Sequence, residues 1–117
     1  MAGIRRGDVV RVRFDPTEGA EQAGERPALV ISPDLINERS PVILVASLTS
    51  RKTERVYSFE VLIEPPEGGL SLRSKALLLQ LRSIDKTRIT GQYGSVSADT
   101  MRRVDDALKI AVGLVHL

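Results

Sequence analysis

The sequence predicts a mainly β protein: a small, strongly bent antiparallel barrel or sandwich of five or six short strands, closed by one C-terminal amphipathic helix. Three observations carry this. Short runs that alternate apolar and polar residues, or are wholly apolar, recur between Gly- and Pro-containing turns over residues 9–91, and the spacing changes to a helical one after Ser97. A chain of 117 residues, 42% hydrophobic and 27% charged, has the size and composition of one globular domain with a real core.

Taken in order, Val10, Val12 and Phe14 alternate with Arg11 and Arg13, the period of a half-buried first strand. Asp15, Pro16 and Gly19 stop it, and a polar loop runs to about Gly24. Residues 28–31 form an unbroken apolar run suited to a strand buried on both faces, and Gly24 and Pro27 bracket Arg26 on its shoulder. Ser32 and Pro33 predict the cap of a short helix ending near Asn37. Residues 41–48, rich in Val, Ile and Leu, read as the next strand, with Ser47, Thr49 and Ser50 at its exit. A basic turn over 51–55 leads to an alternating strand over 58–63 and a Pro- and Gly-rich turn over 65–69. Residues 75–84 also suit a helix, but flanking turns and the alternation of Leu77, Leu79 and Leu81 with Leu78, Gln80 and Arg82 favour a strand that points Gln80 and Arg82 the same way. A short segment over 87–91 precedes a turn at Tyr93 and Gly94. Met101, Val104, Leu108, Ala111, Val112 and Val115 then recur at helical spacing behind a Ser97 cap. Strand edges in such a fold need cover, which the helix or a second subunit supplies.

Composition removes several chemistries. No apolar run approaches the roughly 18 residues of a membrane span, and the first ten residues lack the apolar core of a signal peptide, so a cytoplasmic protein is expected. There is no cysteine, and the single histidine is His116. Thiolate metal sites and two-histidine acid–base catalysis are thereby excluded, and Asp15, Glu21, Glu25, Glu60 and Asp85 show no tight ligand spacing for a metal nuclease. Net charge is only +2 despite 17 Lys and Arg, so binding of an acidic partner depends on clusters such as Arg51, Lys52 and Arg55 converging in space. With 3% aromatic residues, a stacking surface is not the expected mode of nucleic-acid binding.

The chain resembles the MazF/PemK toxin family of endoribonucleases. The resemblance is carried by Arg6-Gly7-Asp8-Val9, Asp15-Pro16-Thr17, Gly19-Ala20-Glu21-Gln22, residues 26–32, the strand 42–50, Gly69-Leu70, Ala76-Leu77-Leu78, residues 80–86 and the helix 99–114, in order and over nearly the whole length. It implies an SH3-like β-barrel with short helices, a single domain over residues 1–117, a homodimer, and metal-independent, sequence-specific cleavage of single-stranded RNA without a cofactor. It also implies that the RNA's own 2'-hydroxyl attacks, leaving a 2',3'-cyclic phosphate and a 5'-hydroxyl. The partner implied is an acidic antitoxin that occupies the RNA channel, and the toxin–antitoxin complex binds operator DNA through the antitoxin. An arginine and a threonine of the family's active site match Arg26 and Thr49, and RNA contacts fall to Glu21, Gln22, Ser50, Gln80 and Arg82. Leu79 stands where the family commonly has an acidic residue, which bears on sequence preference more than on activity.

These residue types suit that chemistry. In-line attack needs a proton removed, charge on the phosphoryl oxygens stabilised and the leaving oxygen protonated. A guanidinium offers a permanent charge and a donor fork that fits phosphate, and it holds its protons too tightly to be a ready base. Charge stabilisation is thus the first role of Arg26. A threonine hydroxyl both donates and accepts, on a side chain stiff at χ1. The plainer alternative is a non-catalytic barrel that binds protein or nucleic acid, with Arg26 solvated, Thr49 an ordinary strand end, and Gln80 and Arg82 a polar face.

Overall fold

The computed structural model describes residues 3–14 and 24–116. Its elements are β1 (Asp8–Phe14), β2 (Gly24–Val30), α1 (Asp34–Arg39), β3 (Val42–Thr49), β4 (Glu60–Ile63), β5 (Ser74–Asp85), β6 (Ile89–Ser95) and α2 (Ala98–Ala111). The strands form one antiparallel sheet in the order β4-β5-β3-β2-β1-β6. Mainly β with a C-terminal helix is therefore the architecture. The turn over 15–19, the loop that follows and the predicted RNA contacts Glu21 and Gln22 lie outside the described residues.

The central strands bury both faces, which is why residues 28–31 and 43–46 are apolar without alternation. Val10, Val12, Phe14, Ala28, Val30, Ile43 and Val45 meet Ile84 and Ile89 on one side. On the other, Val9, Leu29, Ala46, Leu48, Ile63 and Leu78 pack with Val104 and Ala107 of α2. The sheet bends at β5, where adjacent residues Ala46 and Ser47 of β3 pair with Leu81 and Leu77, leaving residues 78–80 between them as a bulge. One half of β5 thus serves β3 alone and the other joins β3 to β4. Leu79 stands exposed on this bulge, away from the cleft that Gln80 and Arg82 line.

The ring of strand hydrogen bonds does not close: β4 and β6 are edges. A 3-10 turn, Glu67–Gly69, packs against β6 and brings the β4 side to it, while α2 lies over β4 and β5. At this seam a Cβ on Gly69 would lie 2.0 Å from the Tyr93 carbonyl oxygen, and one on Gly94 2.8 Å from the Gly68 carbonyl carbon. Tyr93 and Gly94 accordingly belong to β6, not to the predicted turn, because the glycine there serves close backbone approach. Three further boundaries differ. Ser58 and Phe59 form a turn ahead of β4, β2 starts earlier at Gly24, and β6 extends to Ser95. Ser97 caps α2 as predicted, accepting from the Thr100 amide. Ser32 does not cap α1, whose N-cap is Pro33. Its hydroxyl donates to Oδ1 of buried Asn37 at 2.5 Å and accepts the Leu44 amide at 3.0 Å, tying α1 to β3.

The seam also holds α2. Glu67 Oε2 accepts the Thr100 hydroxyl at 2.6 Å and the Ser97 amide at 2.9 Å. Burial alone would push the Glu67 carboxyl up, but these hydrogen bonds and the charge of Arg103 outweigh it and hold the carboxyl below its ordinary value of 4.5. A depressed folded value stabilises the fold above the unfolded value and is lost as pH falls through the folded one. Thermal melting should therefore show stability dropping as pH falls below 4.5. Glu67→Gln should show less of that drop and cost about 1–3 kcal/mol at pH 7. Identical pH profiles for the two proteins would refute the assignment.

Candidate active site

The β2–β3 ladder pairs Ala28 with Ser47, Leu29 with Ala46 and Val30 with Val45. Continued two residues toward the open end of the ladder, that register sets Arg26 opposite Thr49, on the face that carries Ala28 and Ser47. The ladder to β3 begins only after Pro27, which has no amide to offer, so the sheet parts beyond it and exposes Arg26.

Two adjoining clefts share this pair. One, of about 610 Å³, is lined by Arg26, Thr49, Ser50, Arg51, Gly69 and Tyr93 among others. The second, of about 280 Å³, is lined by Arg26, Thr49 and Arg51 together with Phe14, Gln80 and Arg82. Arg26, Thr49, Ser50, Gln80 and Arg82, five residues predicted from sequence, therefore gather around one depression. Glu21 and Gln22 lie outside the described residues.

Local contacts orient the groups. Thr49 Oγ1 accepts the Arg51 amide at 3.1 Å, so the hydroxyl proton remains to be donated elsewhere. The Arg82 guanidinium lies over the Phe14 ring, 4.3 Å from its centroid, which limits its swing across the second cleft. On the other side of Thr49 its ladder partner is Lys75, whose buried ammonium meets Glu60 Oε1 at 2.9 Å and the Arg55 carbonyl at 2.7 Å. Arg55, a guanidinium charged at any ordinary pH, donates to the Tyr57 hydroxyl at 3.2 Å on this rim. The basic residues most concerned, Arg26, Arg51 and Arg82, come from three different segments. That is the convergence that the modest net charge requires.

Sequence reasoning undervalued Arg51, Phe14 and Tyr93. Arg51 lines both clefts, and its signal was adjacency to Thr49. Phe14 was legible only as the last apolar residue of β1, and Tyr93 was masked by its glycine neighbour. Among the described residues, no three His, Asp or Glu side chains gather as a metal ion's ligand set, and no helix is long and apolar enough to cross a membrane.

Comparisons with known proteins bear on the family and the fold. Residues 5–112 match the model of a family described as PemK-like, MazF-like toxin of type II toxin-antitoxin system. A MazF from Deinococcus radiodurans is 31% identical, with 97% of this chain and 99% of that one covered and a TM-score of 0.77. The MazE-MazF complex of the same organism gives 32% identity, 98% and 100% coverage and a TM-score of 0.79. An endoribonuclease in complex with its cognate antitoxin, from a mycobacterial species, is 23% identical, covers 97% and 99%, and shares the fold with a TM-score of 0.79.

Proposed function

This chain belongs to the PemK-like, MazF-like toxin family of type II toxin-antitoxin systems, and we propose that it is the toxin's catalytic unit, a single domain over residues 1–117. It cleaves single-stranded RNA in a sequence-specific, metal-independent manner. The observation that carries the proposal is that Arg26 and Thr49, just beyond the paired residues of the β2–β3 ladder, line the same two clefts.

In the proposed step the 2'-hydroxyl oxygen attacks the adjacent phosphorus, and the P–O5' bond breaks. The proton lost from the 2'-hydroxyl and the one gained by the 5' oxygen balance, leaving a 2',3'-cyclic phosphate and a 5'-hydroxyl. Charge grows on the non-bridging oxygens, where fixed donors act most strongly. Arg26 supplies the cationic fork, and Thr49 donates its hydroxyl proton while its oxygen is held by the Arg51 amide. Ser50, Gln80 and Arg82 contact the flanking nucleotides, and Glu21 and Gln22 are assigned RNA contacts as well.

The same cations attract carboxylates. An acidic antitoxin is therefore the expected inhibitor, as the MazE complex of the Deinococcus relative suggests, and the pair binds operator DNA through the antitoxin. A homodimer acting in the cytoplasm completes the proposal.

Incubation with single-stranded RNA in EDTA tests the reaction. Fragments ending in cyclic phosphate support it, and intact RNA that still binds returns the chain to the non-catalytic alternative. Thr49→Val keeps the β-branch and removes only the hydroxyl. It should lower the cleavage rate about 10- to 100-fold, the worth of one hydrogen bond to a charged group. An unchanged rate would remove Thr49 from the mechanism.

A further inference from the structure

A third cleft, of about 630 Å³, meets the other two at Thr49 and Arg51 and extends along the segment between β3 and β4. Its lining includes Lys52, Arg55, Tyr57 and Lys75. Tyr57 leaves 47% of its surface exposed. Phe59 stacks on it with centroids 5.4 Å apart and ring planes 4° from parallel, yet Phe59 does not line the cleft, so it backs the ring from behind. A large exposed ring supported this way is a preformed flat surface.

Tyr57 is also held at its backbone amide and at its hydroxyl. Glu60 accepts the Tyr57 amide at 3.1 Å and is itself fixed by Lys75, while Arg55 donates to the Tyr57 hydroxyl at 3.2 Å. Lys75 is 5% exposed and pairs directly with Thr49 in the β3–β5 ladder, so the platform is rigidly referenced to the threonine at the depression. Around the rim, Arg51, Lys52 and Arg55 outnumber Glu54. Lys52 has φ 55°, a left-handed conformation uncommon for a residue with a side chain, and such strain concentrates where a loop must present a group.

We propose that this cleft is a nucleotide subsite beside the scissile phosphodiester, in which a base rests on Tyr57 and its phosphate meets Lys52 and Arg55. The inference rests on the ribonuclease reading for what lies at Thr49, and it departs from the sequence-based expectation that a stacking surface is not the mode of nucleic-acid binding. Few aromatics suffice when Phe14, Tyr57 and Tyr93 each line one of three adjoining clefts. An acidic peptide would satisfy the cations equally, but a fixed planar ring backed by a second ring matches a base, whose π-face stacks whatever its sequence.

The test is binding of a fluorescent single-stranded 2'-deoxy oligonucleotide, which offers no attacking hydroxyl, and of a set in which one base at a time is removed. Cleavage of the RNA version is measured alongside. Tyr57→Ala and Tyr57→Leu should each raise Kd roughly 5- to 100-fold. Tyr57→Phe, which keeps the ring, should stay within a few-fold, all three variants melting near the parent. One abasic position should weaken the parent by a similar factor and weaken Tyr57→Ala no further. Parent-like binding by Tyr57→Ala, equal losses at every abasic position, or a loss confined to an acidic peptide would each overturn the subsite. If the parent cuts RNA while Tyr57→Ala binds normally, the subsite fails and the ribonuclease reading stands. If the expected binding pattern appears without cleavage, the ribonuclease reading fails and the base-binding cleft stands.

Discussion

Replacing Arg26 by alanine should lower the cleavage rate about 10²- to 10³-fold, the usual cost of losing one preorganised donor at a developing oxyanion. The prediction is specific because Arg26 sits at the parting of β2 from β3, opposite Thr49, where two clefts meet. A residue that merely attracted RNA would raise KM and leave kcat alone, whereas one that stabilises charge formed during attack lowers kcat and kcat/KM together. Arg26→Lys separates charge from fork: a compact ammonium keeps the positive charge but cannot pair with two phosphoryl oxygens in one plane, so it should recover only part of the rate. Arg26 is exposed, so melting of both variants should stay within a few degrees of the parent. The informative measurement is single-turnover cleavage of a saturating RNA oligonucleotide. A variant that cuts at the parental rate under saturation would sink the catalytic role.

The largest effect on folding is expected at Gly69. Its φ is 71°, and the added methyl group would sit 2.0 Å from the Tyr93 carbonyl oxygen, a backbone atom of β6 that cannot turn aside as a side chain does. Gly69→Ala must therefore open the seam where the turn after β4 meets β6. It loses backbone packing there in addition to the roughly 1 kcal/mol and more of the left-handed conformation itself. A destabilisation of about 3 kcal/mol or more follows, a large fraction of the stability of a domain this size. Gly69 and Tyr93 also line the cleft of about 610 Å³ that holds Arg26 and Thr49, so the residual folded protein should bind RNA more weakly. Chemical denaturation gives the number. A loss of less than about 1 kcal/mol would mean that the seam shifts freely.

Much of the architecture was legible because burial leaves its period in the residues. The alternation of β1, the solid apolar runs of β2 and β3, and the helical stripe behind Ser97 all reappear as elements. The helical alternative for residues 75–84 gave way to a twelve-residue strand, since its two halves bury different faces on either side of the bulge. Local turn chemistry misled where a glycine or serine served a distant partner. Gly94 is small for the sake of the turn at Gly68 and Gly69, and Ser32 bonds to Asn37 and β3 instead of capping α1.

By itself, the sequence determined the class of the fold, the strand on whose shoulder Arg26 sits, the strand that delivers Thr49, and the absence of cysteine and paired histidine. Those follow from short-range periodicity and composition, which any stretch of chain carries within itself. Only the tertiary structure decided that Arg26 and Thr49 face one depression, that Gln80 and Arg82 join them, and that Tyr57 stands braced beside them. These depend on ladder register and on the bulge in β5, where pairing between distant residues, and not any local preference, sets which side chains meet.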